Sequence, residues 1–146
     1  MARTARELAS ALEAFAGQDS GDLIALDALI VEAVSRDPDT DLDRALFGIF
    51  ERFPQEDGRG VYWAIVHGLE GRGGYEQALL DSVRRSPSPF ALLMLNRISN
   101  DGQADCAGVP IMSILTEVAS SASVSPEVRQ EAAELLEHQR SRDRRQ

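Results

Sequence analysis

The sequence has no lysine and, among its 146 residues, only one cysteine and two histidines. Without lysine, the protein can use neither Schiff-base chemistry nor the lysine of a phosphate-binding P-loop. The single cysteine, Cys106, excludes an internal disulfide and a four-cysteine zinc site, and it is typical of a reducing compartment. No run reaches the roughly eighteen apolar residues of a membrane span, and the charged N-terminal segment does not match a signal peptide. We therefore expect a cytoplasmic protein without a membrane segment.

Acidic residues outnumber basic ones by 24 to 15, which gives a formal net charge of −9. This charge opposes direct binding to nucleic-acid phosphates and to anionic lipids. The hydrophobic content of 43% and the charged content of 27% are typical of a globular domain. The length corresponds to one domain of average size. We predict a single domain over residues 1–140, followed by a basic tail, residues 141–146, that frays.

The six prolines fall at positions where helices begin or end. Ser88-Pro89 and Ser125-Pro126 each place a capping serine before a first-turn proline. The spacing of apolar residues predicts eight helices and no strand. They cover residues 4–16, 22–36, 41–53, 60–70, 74–85, 89–99, 109–120 and 126–140. Because the connections are short, we predict an all-α protein of about eight short antiparallel helices, arranged as a compact HEAT-like stack or an irregular bundle.

Two glycines, Gly48 and Gly68, fall inside predicted helices. Glycine in a helix interior costs about 1 kcal/mol relative to alanine. Its retention there predicts a close helix crossing at each position.

The acidic residues concentrate in residues 19–57, which hold eleven acidic residues and three arginines. The densest part contains four aspartates, Asp37, Asp39, Asp41 and Asp43. A structural explanation makes Thr40 the N-cap of the third helix, with Asp41 and Asp43 stabilising its positive end. That explanation leaves Asp37 and Asp39 without a helical role.

Alternating helix directions would bring the turns after helices two, four and six to one edge of the stack. That edge would hold the four aspartates together with Asp101 and Asp105, and Arg72 would dilute their charge. Clustered carboxylates would attract a basic partner and accelerate its association. The alternative is an ordinary solvated face without a partner.

Catalytic motifs are absent from the sequence. His67 and Glu70 lie one turn apart and could bind a metal, but a di-iron centre needs a second such pair, which does not exist here. The alternative role for His67 is a buried or half-buried side chain hydrogen-bonded to a neighbouring helix. No Gly-x-Ser-x-Gly, Walker or Gly-x-Gly-x-x-Gly motif is present. We expect neither an enzyme nor a cofactor or metal.

Residues 57–120 resemble the all-helical immunity proteins of bacterial polymorphic-toxin and contact-dependent growth inhibition systems. The resemblance is carried by Tyr62-Trp63-Ala-Ile-Val-His67-Gly-Leu-Glu70, by Tyr75 with Leu79-Leu80, and by Met94-Leu95-Asn96-Arg97-Ile98-Ser-Asn100. It implies a cytoplasmic protein that binds a cognate toxin C-terminal domain, often a nuclease, and blocks its active site. The motif residues that the resemblance implies to be structural are Trp63, His67, Glu70, Asn96, Arg97 and Asn100. Among them, we expect Glu70 and Arg97 to form a charge pair and Asn100 to end a helix.

Toxin-specific contacts are expected in the variable turns. We place them at Asp37, Asp39, Asp41, Asp43, Arg72, Tyr75, Asp101 and Asp105. Tight inhibition also needs a desolvated aromatic centre, for which Tyr62 or Tyr75 would serve if exposed. The alternative function is a helical scaffold or adaptor that binds a peptide or partner protein.

Overall fold

In a computed structural model, which describes residues 3–145, the chain forms eight α-helices and one two-stranded antiparallel ribbon. The helices are α1 (Ala5–Ala14), α2 (Ser20–Val34), α3 (Thr40–Arg52), α4 (Tyr62–Arg72), α5 (Glu76–Arg85), α6 (Pro89–Asn100), α7 (Ile111–Ser120) and α8 (Pro126–Arg144). The ribbon pairs β1 (Asp105–Cys106) with β2 (Val109–Pro110). The all-α prediction is confirmed.

Side-chain caps explain where several helices begin. Ser88 and Ser125 accept a hydrogen bond from a first-turn backbone N–H of α6 and α8, as the serine–proline pairs predicted. For α3 the predicted cap, Thr40, is wrong, because Thr40 is already the first helical residue. Asp39 is the cap instead, and its Oδ1 accepts from the backbone N–H of Leu42 at 2.9 Å. Asp39 therefore has a helical role, as the N-cap of α3, which corrects the expectation that it has none.

The chain divides into two compact units, with the boundary after Ala78, inside α5. In unit 1, the part up to Ala78, α1 packs on α2 and α3, and α2 packs on α4. Contact of the first helix with the third and of the second with the fourth is the pattern of two stacked helical hairpins. In unit 2, the part from Leu79 onwards, α6, α7 and α8 pack on one another. Helix α8 continues to Arg144, so most of the segment expected to fray is helical.

Two short elements were not predicted. A 3-10 turn, Gly58–Gly60, precedes α4, with positive φ at all three residues, including Arg59 at 53°. The ribbon turns through Ala107 and Gly108, both at positive φ, as in a type I′ hairpin. Strands of two residues are too short for alternation to reveal them. Among residues 3–145, none of the helices combines the length and the apolar character needed to cross a membrane.

Only one of the two helix-interior glycines lies at a close helix crossing. A Cβ on Gly68 of α4 would come within 2.7 Å of the Val34 side chain on α2. The Cβ of Val34 would itself be 2.8 Å away, so rotation of the valine side chain could not relieve the clash. A Cβ on Gly48 of α3 would meet nothing within 4 Å. The crossing expected at Gly68 is confirmed and the one at Gly48 is wrong.

Gly68→Ala should destabilise the protein by about 1 to 3 kcal/mol, because the added methyl group forces α2 and α4 apart. Gly48→Ala is the matched control and should stabilise by about 0.5 to 1 kcal/mol through helix propensity alone. Urea unfolding followed by circular dichroism measures both changes. Equal effects of the two substitutions would contradict the α2–α4 contact.

Candidate functional site

A buried ion pair joins α3 to α4 at the end of unit 1 where the aspartates cluster. The guanidinium of Arg72 donates from Nη1 to Asp43 Oδ1 at 2.9 Å and from Nη2 to Oδ2 at 2.6 Å. Asp43 is 1% exposed, and the Arg72 side chain is 9% exposed. A two-bond arginine–carboxylate pair fixes both position and orientation. Arg72 also donates from Nε to the backbone oxygen of Gly73.

The burial of this pair corrects the prediction that Asp43 and Arg72 lie on an exposed binding surface. Asp43 lies one turn before Phe47 and two turns before Phe50, and both phenylalanines are buried. It therefore occupies the core-facing stripe of α3. The helical spacing of these residues contained this signal. The acidic neighbours of Asp43 obscure this signal in the sequence.

The remaining aspartates of the cluster lie at the turn between α2 and α3. Asp37 and Asp41 are exposed, whereas Asp39 is half-buried and caps α3. The turn between α4 and α5 lies beside this turn, since a Cβ on Gly74 would come within 2.7 Å of Pro38. The expected meeting of these two turns is therefore observed within unit 1. We call the exposed pair Asp37 and Asp41 the acidic turn.

An open groove of about 740 Å³ lies next to the acidic turn, between α1 and the beginning of α3. Its charged side chains come from both helices, with carboxylates from Glu13, Asp39 and Asp41 and guanidinium groups from Arg6 and Arg44. The groove can therefore offer acceptors to a basic side chain of a partner and donors to an acidic one.

Arg52 of α3 fixes the far end of α1 beside this groove. Its Nη1 donates to the backbone oxygens of Glu13 and Phe15, both at 2.8 Å, and its Nη2 donates to that of Leu12 at 2.9 Å. A cation at the last carbonyls of a helix satisfies unpaired acceptors and favours the negative end of the helix dipole. The two walls of the groove are thus held together at the C-terminal end of α1.

Neither tyrosine can serve as an exposed aromatic centre. Tyr62 is 0% exposed, and its hydroxyl accepts a hydrogen bond from Gln18 Nε2 at 3.0 Å. Burial raises the pKa of Tyr62 above its usual value, and the hydrogen bond from Gln18 opposes this rise only partly. Tyr75 is 5% exposed. The expectation of a tyrosine at the centre of an interface is therefore wrong for this structure.

In unit 2, Asp101 and Asp105 are exposed. Asp101 directly follows α6, and Asp105 begins the ribbon. Their participation in a surface with the acidic turn stays a prediction.

The motif residues behind the family resemblance lie on α4 and α6. Trp63 is half-buried and stacks on His67, with ring centroids 5.5 Å apart and an angle of 25° between the planes. His67 is exposed, which corrects the expectation of a buried or half-buried histidine. Within residues 3–145, no group of three or more histidine, cysteine, aspartate or glutamate side chains is placed to hold a metal ion. The pairing of Glu70 with Arg97 stays a prediction.

Asn96 and Asn100 connect α6 to α8 through a buried glutamine. Gln139, 2% exposed, donates from Nε2 to the side-chain oxygens of Asn96 at 2.5 Å and Asn100 at 3.0 Å. Ser99 Oγ in turn donates to Gln139 Oε1 at 2.8 Å. A buried amide must have its donors and acceptors satisfied, so these contacts explain why polar residues stand here. Asn100 is the last residue of α6, as expected.

No protein-family model matches this chain, and none of the curated proteins or solved structures matches it significantly.

Asp43→Asn should destabilise the protein by about 3 to 5 kcal/mol, because it leaves the guanidinium of Arg72 buried without a counter-charge. Asp41→Asn, two residues earlier and exposed, removes the same charge and should cost at most about 1 kcal/mol through the helix dipole. Chemical unfolding of the two variants tests the difference. A loss for Asp43→Asn no larger than that for Asp41→Asn would show that the pair does not join α3 to α4.

Proposed function

We propose that the protein is an immunity protein, which binds a cognate toxin C-terminal domain and covers its active site with the acidic surface of unit 1. The observation that carries this proposal is the uneven charge. Residues 1–78 contain fifteen acidic residues and seven arginines, a net charge of −8, whereas residues 79–146 have a net charge of −1. The charge excess thus belongs to one unit and not to the whole surface.

The exposed carboxylates of the acidic turn and of Glu13 support the proposal, whereas Asp39, which also lines the groove, caps α3. In the part of the chain that the structure describes, the side chains of Asp37, Asp41 and Glu13 form no ion pair. All three are exposed. Unpaired surface carboxylates repel one another, and a cationic partner would relieve that repulsion.

The charge indicates the class of toxin and how it would be blocked. A nuclease binds its substrate with arginine and lysine side chains that attract phosphates. An acidic protein surface would occupy the nucleic-acid-binding groove of such a nuclease and exclude the substrate. Complementary charge also accelerates association, which suits a protein that must reach the toxin in the cytoplasm before the toxin acts.

The primary test uses the reading frame immediately upstream of the gene. Expression of the C-terminal domain of that product in a bacterial host should arrest growth, and co-expression of this protein should restore it. A product without toxicity, or toxicity that this protein does not relieve, would contradict the proposal.

Neutralising the acidic turn together with its capping residue, as Asp37→Asn, Asp39→Asn and Asp41→Asn, should slow association with that toxin domain about tenfold at low salt. Asparagine caps helices as well as aspartate does, so α3 should be preserved. Stopped-flow measurement over a range of salt concentrations should also show a weaker salt dependence.

Two further variants locate the contact. Asp101→Asn with Asp105→Asn tests the predicted share of unit 2. Glu127→Gln with Asp143→Asn is the control, because it removes two exposed charges from α8 and should leave the association rate unchanged. Slowing by all three variants in proportion to the number of charges removed would show that net charge acts alone and that the acidic turn is not the contact.

A further inference from the structure

The buried face of helix α8 changes from apolar to polar towards its C-terminal end. Val128, Ala132 and Leu136 are buried in succession, and the next buried residue of the helix is Gln139. Residues spaced by three or four positions align along one side of a helix, so the four form one stripe. Helices α6 and α7 pack on α8. A glutamine therefore stands where continued packing would use another apolar residue.

Every hydrogen-bonding group of the Gln139 amide has a partner. Nε2 donates to Oδ1 of Asn96 and to Oδ1 of Asn100. Oε1 accepts from Ser99 Oγ at 2.8 Å and from Arg142 Nη1 at 3.3 Å. An amide has two N–H donors and two acceptor lone pairs, so its capacity is fully used. We call Gln139 and these four partners the amide network.

Arg142 determines how the amides of this network are oriented. A guanidinium has donors and no acceptor, so each polar side-chain atom that accepts from it is an oxygen. Arg142 donates to Asn100 Oδ1 and to Gln139 Oε1. The Nε2 of Gln139 must then face α6, where Asn96 and Asn100 supply oxygen acceptors. One set of amide orientations satisfies all of these hydrogen bonds.

The apolar part of the α8 stripe distinguishes alternative alignments only weakly. A slide of α8 along α6 by one helical turn, about 5.4 Å, moves each residue to the place of another three or four positions away. Ala132 would then take the place of Val128 or of Leu136, so an apolar residue would again occupy an apolar place. Hydrophobic burial is non-directional and therefore favours both alignments.

The amide network distinguishes the same alignments strongly. A slide in one direction would bring Leu136 to the place of Gln139, and the partners on α6 would face a side chain without polar atoms. A slide in the other direction would bring Arg142 there and take its guanidinium away from Asn100. Polar groups that lose their partners on burial carry a penalty, whereas exchange of both partners for apolar groups of the same shape is nearly neutral.

We propose that the amide network fixes the register of α8 against α6. A polar residue in an otherwise apolar helix contact can select one alignment while adding little stability. The network also holds the end of α6, because Asn100 is its last residue and the backbone oxygen of Asn100 accepts from Arg142. The loop that begins at Asp101 follows directly. This inference goes beyond the proposed function, since it concerns unit 2 and requires no partner.

The first test, Gln139→Met in the full-length protein, reproduces the polar mismatch of a one-turn slide. Methionine has nearly the shape of glutamine, but it offers no donor to Asn96 and only a weak acceptor to Ser99. The equilibrium constant for unfolding should rise about tenfold, because groups on α6 lose their partners. Urea unfolding followed by circular dichroism measures this change.

The second test removes the polar partners as well, in the triple variant Gln139→Met, Asn96→Leu, Ser99→Ala. Its unfolding constant should return to within about threefold of the natural value. Its alignment should no longer be unique. Two-dimensional ¹H–¹⁵N NMR should show one set of sharp amide signals for the natural sequence, and doubled or broadened signals from α6 and α8 for the triple variant.

Leu136→Met is the matched control, because it changes the apolar part of the same stripe and leaves the amide network intact. It should keep one set of sharp signals. Unchanged stability of Gln139→Met would overturn the proposal, since the network would then not distinguish the alignments. Sharp single signals from the triple variant, or doubled signals from Leu136→Met, would assign the register to apolar packing instead. Failure of the triple variant to fold would show that the network supplies stability and not alignment.

Discussion

The arrangement of the acidic surface depends on one buried interaction, the ion pair between Asp43 and Arg72. It ties the beginning of α3 to the end of α4 through two hydrogen bonds in a nearly dry environment. Loss of either partner would leave the other charge buried without a counter-charge, at a large cost in stability. The pair therefore fixes the register of the two helices. The turns on either side, α2 to α3 and α4 to α5, are then held beside each other. Asp37 and Asp41 remain at the surface as a consequence of this packing.

Unit 1 has more negative charge than its fold requires. In the aspartate cluster, Asp43 pairs with Arg72 in the core and Asp39 caps α3, so both have a structural role. The same unit exposes two large apolar side chains, Ile24 and Val31, on α2. Unpaired like charge raises the free energy of an isolated protein in water, and a cationic partner would lower it.

Helix content and helix positions could be predicted because they depend on local signals, namely serine–proline pairs and apolar spacing. The burial of Asp43 could also be predicted, because Asp43 lies at helical spacing on the same face as Phe47 and Phe50. The pairing of Asp43 with Arg72 could not be predicted, because this contact joins residues 29 positions apart in the sequence. The free space around Gly48 and the burial of Tyr62 likewise depend on the tertiary packing of the helices. Exposure of Ile24 and Val31 contradicts the usual rule for apolar residues, and periodicity alone cannot reveal which face of an apolar helix is left uncovered.

We propose that unit 1 supplies the surface that binds a cationic protein. Hydrogen–deuterium exchange of this chain, alone and saturated with the C-terminal domain of the product encoded immediately upstream, would locate that surface. We predict slower exchange at residues 35–43 when that domain is bound, with α7 and α8 unchanged. Protection confined to residues 79–145, with the acidic turn and α2 exchanging as in the free protein, would contradict it.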